Sequence, residues 1–258
     1  MTKKILLSFD VEEFDIPEEY GQKVGEKEKF EISLQGLNKI LQILDGLNIH
    51  ATFFVTSIFA IKNPELIKEM SIKHEIASHG FSHSHISKED LKKSKEDLEK
   101  IICKKVYGFR APRLKKFKEH EILNAGYKYD SSLNPTFIPG RYNNFFKKRT
   151  IHYSNNLFKI PISVTPLFRF PIFWLTFKNF PLFLIKMNSK KILKKDSYLN
   201  IFFHPWEFTD ISQFKIPFYV KKDSKSKLLR KLKKYLVWLK ENGEFISLKE
   251  FKDIKSIR

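Results

Sequence analysis

The sequence predicts an α/β fold, a parallel sheet with helices on its outside, either open or closed into a barrel. Three observations point there. Short apolar, β-rich runs alternate with amphipathic stretches along the chain, the pattern of repeated strand–helix units. The length of 258 residues suits one barrel of this kind as one domain over 1–258. No internal repeat and no Gly/Ser linker divides the chain, and 42% hydrophobic with 30% charged residues is a globular composition.

The elements follow in order. The run KILLSFDV is continuous and apolar, as a buried parallel strand should be. ISLQGLNKILQILDGL spaces its apolar residues at helical intervals, and HATFFVTS is the next strand. NPELIKEMSIK opens a helix with Asn63 as cap and Pro64 in the first turn. HEIASH is a short third strand, and SKEDLKKSKEDLEKIICKK starts a helix with Ser87 and Asp90 at capping-box spacing. VYGFRAP, YKYDSS, LFKIPIS, LNIFFHPWEF and EFISL are the later strands. Helical patterns interleave them at KEHEILNAG, FPLFLIKM and KSKLLRKLKKYLVWLKENG. The stretch 134–156 is the least periodic and reads as an irregular excursion.

Composition limits the function classes. No stretch resembles a secretory signal, and the apolar region TPLFRFPIFWLTFKNFPLFLIKM is broken by Arg169, Lys178 and prolines, so it is a poor membrane span. The single cysteine, Cys103, forms no internal disulfide, which suits a cytoplasmic location, and is expected to be buried or inert. A net charge of +19 would attract an anionic partner, although AT-rich coding also enriches lysine. No nucleic-acid motif accompanies the charge, so nucleic acid is not an expected partner. The aromatic stretch 167–186 is either covering for the barrel or, with its flanking lysines, a surface for peripheral contact with an anionic membrane.

The chemistry-bearing residues sit where candidate strands end. HEIASHGFSHSH holds four of the chain's eight histidines. His79 and His83 are four apart, on one face if that turn is helical. Asp10 ends an apolar strand and Glu12 follows two positions on, so an extended backbone points both carboxylates the same way. Two histidines and a carboxylate make a three-ligand catalytic zinc set with one open position. Either Glu12 or Glu13 could supply the carboxylate, with alternation favouring Glu12. Arg110 follows a strand in GFRAPR, and His204 ends one in FFHPWEF. βα barrels build their sites from such strand ends. His74 lies outside the metal sphere, His85 could replace His83 only with unusual turn geometry, and His120 and His152 carry no motif.

Taken together and in order, these motifs resemble the polysaccharide deacetylase (NodB-homology) family, also described as carbohydrate esterase family four. SFDVEEF is similar to its first motif with one residue between the acids; ATFFV, HEIASHGFSHSHI, GFRAP, AGYKYDSSL and FFHPWEF follow as its later ones. FRFPIFWLTF resembles a segment of the subgroup ending in His-Pro-Trp-Glu. The resemblance implies a distorted (β/α) barrel of the NodB type and hydrolysis of an N-acyl group, most often N-acetyl, on an amino sugar. It also implies a divalent ion on Glu12, His79 and His83. Zinc is the default, with manganese, nickel and cobalt compatible. Such an ion lowers the pKa of water and polarises the amide carbonyl.

In this scheme Asp10 is the general base, Arg110 keeps it ionised, and His204 is the acid that protonates the departing amine. Asp130 is expected to orient Arg110 or His204, and Trp206 and Tyr129 to offer apolar surface to a sugar ring or to lie in the core. The expected substrate is a carbohydrate, free, polymeric or lipid-linked, in cell-surface polysaccharide or lipopolysaccharide synthesis. Two alternatives keep part of this scheme: a deformylase or other amide hydrolase, and a non-catalytic carbohydrate-binding relative.

Overall fold

The computed structural model describes residues 2–85, 87–223 and 225–256; Met1, Ile86, Ser224, Ile257 and Arg258 lie outside the described residues. Eleven strands form among these. β1 (Lys4–Val11), β2 (Thr52–Val55), β3 (Glu75–Ser78), β4 (Gly108–Phe109) and β5 (Tyr129–Asp130) come first. A hairpin, β6 (Phe137–Ile138) and β7 (Tyr142–Asn143), precedes β8 (His152–Ser154), β9 (Leu157–Lys159), β10 (Tyr198–Phe203) and β11 (Glu244–Phe245). The sheet runs β10-β1-β2-β3-β4-β5-β9-β8 with β11 beside β1. Every pairing in it is parallel except β8 with β9.

Helices cover the outside: α1 (Glu26–Leu47), α2 (Ser57–Lys62), α3 (Pro64–Lys73), α4 (Lys88–Ile102), α5 (Glu119–Asn124), α6 (Trp174–Asn179), α7 (Leu182–Asp196), α8 (Phe218–Lys221), α9 (Ser226–Asn242) and α10 (Leu248–Ser256). Each forms for a local reason. Ser87 and Asp90 close a capping box at the start of α4. Pro64 sits in the first turn of α3, though Asn63 caps it without a side-chain hydrogen bond. α9 is amphipathic and buries Leu228, Leu232, Leu236 and Leu239.

Closure of the sheet depends on one buried amide. Beyond β9 the chain runs past β10, where the Ser163 amide donates to the Asn200 carbonyl (2.9 Å) and the Asn200 amide to Ser163 Oγ (2.8 Å). The Asn200 side chain donates across the same seam to Ser131 Oγ (3.2 Å) and to the carbonyls of Ile160 (3.1 Å) and Pro161 (3.0 Å). The result is a distorted (β/α) barrel. Its strands carry near-continuous apolar burial, as parallel strands covered on both faces require.

The sequence reading differs from the structure in three places. The excursion 134–156 contains the β6–β7 hairpin and β8, too short to show a period in sequence. Cys103 is exposed rather than buried, because it adopts the left-handed conformation that ends α4. The aromatic stretch 167–186 divides: Phe173, Trp174 and Phe177 are core, while Leu167, Phe168 and Phe183 face outward.

One close approach links fold to site. A Cβ at Gly36, inside α1, would lie 1.9 Å from the Pro205 carbonyl oxygen, so only glycine lets α1 press on the turn Pro205–Phe208.

Asn200→Ala would remove a donor shared by three buried acceptors, of which Ser131 Oγ keeps Arg110 and the Ile160 carbonyl keeps the Ser131 hydroxyl. Urea unfolding is expected to show a loss of about 2–4 kcal/mol with an unchanged m-value. A loss under about 0.5 kcal/mol would show that the seam closes without this side chain.

Candidate metal centre

The C-terminal ends of β1, β3, β4 and β10 bring a set of titratable side chains to one face of the barrel. β1 supplies Asp10, and the chain directly beyond it supplies Glu12, Glu13 and Asp15. The loop after β3 supplies His79 and His83, β4 is followed by Arg110, and β10 by His204. All of these are buried.

Glu12, His79 and His83 offer one ligand atom each, all within 4.8 Å of one another. Glu12 Oε2 lies 2.9 Å from His79 Nε2 and 3.2 Å from His83 Nε2. The other ring nitrogens are already engaged. His79 Nδ1 meets the Arg110 carbonyl at 2.8 Å, and His83 Nδ1 meets Asp15 Oδ1 at 2.6 Å. A carbonyl can only accept, so His79 Nδ1 carries a hydrogen, and the ring turns its Nε2 to Glu12. Both histidines thus have the outer partner typical of metal-ligating imidazoles. The donor set fits a divalent ion such as zinc.

Glu13 has a different task. Its Oε1 accepts from the His83 amide (2.9 Å) and its Oε2 from Thr56 Oγ1 (2.7 Å), so it fixes the histidine loop from behind. Burial raises its carboxyl pKa. Burial would also raise that of Glu12, but the charges of His83 and His204 and the His79 hydrogen bond hold it well below the usual carboxylate range. His83 moves the opposite way. Burial alone would lower it, yet Glu12 and Asp15 push it up to about 9.

Asp10 stands beside this cluster. Arg110 Nη1 donates to Asp10 Oδ1 at 2.6 Å and to Ser8 Oγ at 2.9 Å. Arg110 Nε and Nη2 donate to the Ser131 carbonyl and hydroxyl. His204 Nε2 is 4.0 Å from Asp10 Oδ2 and 3.9 Å from Glu12 Oε1, facing the same small cavity of about 30 Å³. Its Nδ1 meets Glu207 Oε1 at 3.1 Å, and the same oxygen accepts from the His204 amide at 2.8 Å. Behind Glu207 the ammonium of Lys178 lies 3.3 Å from Oε2, both side chains fully buried.

Three of the sequence-predicted site residues have other surroundings than the sugar-facing or orienting roles expected of them. Trp206 is fully buried and offers no surface to a ring; its indole Nε1 donates to Glu12 Oε1 at 3.1 Å, and it stacks on His204 with centroids 5.0 Å apart. Tyr129 lies in the core, its hydroxyl donating to Glu75 at the opposite, N-terminal end of β3 (2.8 Å). Alternation along so short a strand turns it away from the cavity. Asp130 bonds neither Arg110 nor His204: it accepts from Ser132 and from Lys159 (2.7 Å). The place next to Arg110 is taken by Ser131, the following residue.

His74 and His85 stay out of the cluster. His74 packs edge-on against Phe53, and burial drops its pKa to about 4. His85 is exposed.

Sequence reasoning missed several contributors. Asp15 lies three residues past Glu12, and Glu207 closes the HPWE stretch, so both were adjacent to recognised motifs. Arg113 closes GFRAPR and Trp174 lies inside FRFPIFWLTF, whereas Arg141 and Tyr142, which also line the cavity, had no such signal. Arg113 ties Asp15 (3.1 Å) to Glu19 (2.9 Å) from a left-handed backbone position (φ 55°) that is strained for a non-glycine.

A family model described as polysaccharide deacetylase matches residues 3–129. No curated protein matches the chain by sequence. Among solved structures, a putative polysaccharide deacetylase from Mycobacterium smegmatis is similar at a TM-score of 0.62 and 18% identity, over 93% of this chain and 85% of that one. A probable polysaccharide deacetylase from Pseudomonas aeruginosa gives 0.60 and 13%, over 94% and 86%. Puue allantoinase gives 0.63 and 13%, over 96% and 88%. At these identities the structural likenesses speak to the fold.

Asp15→Asn leaves the three ligand atoms in place and removes the anionic partner of His83. Competition with a chromophoric chelator is expected to show zinc affinity falling roughly 10–100-fold. An unchanged affinity would mean that Asp15 does not support the ligand.

Proposed function

We propose that the chain is a metal-dependent hydrolase of the polysaccharide deacetylase type, whose family model matches residues 3–129, and that it removes an N-acyl group, N-acetyl first, from an amino sugar. The observation that carries this reading is the convergence on one cavity of a three-atom ligand set and two further acid–base groups, Asp10 and His204. Glu12, His79 and His83 would hold the ion, zinc first, and it would supply Lewis-acid polarisation of the acyl carbonyl.

The chain's own groups supply the proton transfers. Asp10 accepts the proton of the attacking water; the buried guanidinium of Arg110 pairs with it and aims it at the cavity. Trp206 fixes the Glu12 carboxylate through its indole hydrogen bond, leaving the other oxygen toward the histidines. His204 presents Nε2 to the cavity while Glu207 holds Nδ1, so that a proton on Nε2 can pass to the departing amine. An amine leaves poorly without it. Trp174, edge-on to His204 at 5.2 Å, and Tyr142 narrow the cavity and limit bulk water.

Regarding the finer substrate, we place the enzyme in the cytoplasm, acting on an amino sugar of a cell-surface polysaccharide, lipopolysaccharide or lipid-linked precursor. The basic surface supports an anionic carrier.

Acetate release from N-acetylated amino sugars, with and without a chelator, tests the proposal. Activity is expected to vanish on chelation and to return with zinc. Asp10→Asn and His204→Ala are each expected to lower kcat/KM by roughly 10²–10⁴-fold. Formate rather than acetate from an N-formyl sugar would change the acyl group and keep the site. Turnover indifferent to both substitutions would rule out the assigned roles.

A further inference from the structure

Residues 131–195 contain twelve lysines and arginines and not one aspartate or glutamate, in a chain that has 29 acidic residues. This acid-free stretch builds the wall next to the catalytic cavity. Its β6–β7 hairpin pairs Ile138 with Tyr142, so one hairpin contributes Tyr142 and Arg141 to the cavity and Phe137 and Ile138 to a separate groove.

That groove measures about 440 Å³, and its lining includes Phe137, Phe168, Phe180, Tyr219 and Arg169, with no carboxylate among the residues around it. Its rim is unusually apolar for a surface. Phe168 is 82% exposed, Leu167 74%, Phe218 72% and Phe137 55%. Isolated exposed rings are ordinary, but a contiguous group of them marks an interaction surface. Cations frame it. Arg169 lies 5.7 Å from the Phe145 ring and donates to the Lys147 carbonyl at 3.3 Å, which sets the exposed segment Phe146–Lys148 next to the groove, its two lysines also bordering a neighbouring pocket that holds Asp130 and Glu119. Lys222 reaches the Asn179 carbonyl on the opposite rim (3.4 Å). Aromatic rings within a basic border are the chemistry of an interfacial lipid-binding face. No helix among the described residues is long and apolar enough to cross a membrane, so such contact would be peripheral.

We propose that this face docks on an anionic lipid bilayer, with Phe137, Phe168 and Phe218 entering the acyl boundary and Arg169, Lys147 and Lys148 meeting lipid phosphates. Docking sets the cavity, one hairpin away, beside the membrane surface, where an amino sugar carried on a lipid anchor would be presented. The inference rests on the hydrolase reading for that substrate and not for the docking itself.

Vesicle sedimentation of the full chain tests it, using phosphatidylcholine alone and phosphatidylcholine mixed with phosphatidylglycerol. Wild type is expected to pellet with the mixed vesicles and at least about tenfold less with neutral ones. Phe168→Ser/Phe218→Ser and Lys147→Glu/Lys148→Glu are each expected to weaken binding by about tenfold. Both variants should keep their circular dichroism and their hydrolysis of a soluble N-acetylated sugar. If the phenylalanine variant pellets like wild type, lysines elsewhere carry the attraction and the proposal falls. It falls equally if wild type sediments as a dimer that this variant splits, since the face would then be a self-association surface. Absence of turnover in every protein would sink the hydrolase reading while the vesicle result still stood on its own.

Discussion

A guanidinium buried in the barrel is the constraint on which the site depends. Arg110 is fully buried, where an unpaired charge would cost several kcal/mol. Its hydrogens go to Asp10, Ser8 and both oxygens of Ser131. Its plane lies between Phe54 and Phe202, 4.1 and 4.8 Å from their ring centroids. One side chain thus ties β1 to the segment after β5 and spans the inside of the barrel. Its carbonyl accepts from His79, so the same residue sets the direction of a base and the tautomer of a ligand.

Around that anchor the charges are arranged in layers. Asp10, Glu12, Glu13 and Asp15 fall within six consecutive residues, a concentration of carboxylates that needs cations nearby. Arg110 answers Asp10, Arg113 answers Asp15, and the two histidines answer Glu12. Glu13 instead uses an amide and a hydroxyl. What remains uncompensated points at one place, the space between Glu12, His79 and His83. On the far side the Lys178–Glu207 pair, enclosed by Trp174 and Trp206, holds His204 at its working angle.

Much of this was legible in the sequence, for identifiable reasons. Parallel strands buried on both faces are read from continuous apolar runs, and KILLSFDV coincides with β1. Residues at strand ends are read from where those runs stop, which placed Asp10, Glu12, His79, Arg110 and His204 on one face. Side-chain direction was less accessible. Tyr129 and Asp130 follow the same logic, yet β5 is two residues long and a shift of one position exchanges the residue facing Arg110. The sequence leaves the indole of Trp206 either as a surface for substrate or as core; its Nε1 hydrogen bond to Glu12 depends on the turn that α1 and Gly36 shape, a contact distant in sequence. The exposed aromatic rim was equally hidden, since a run such as FRFPIFWLTF does not declare which rings turn inward.

The central claim is that Glu12, His79 and His83 hold a divalent ion on which hydrolysis depends. Metal content by mass spectrometry, measured on wild type and on His79→Ala/His83→Ala together with acetate release from the same samples, tests it most directly. Near-stoichiometric metal and turnover are expected in wild type, both lost in the double variant. Metal retained by the double variant, or turnover surviving without metal, would contradict it.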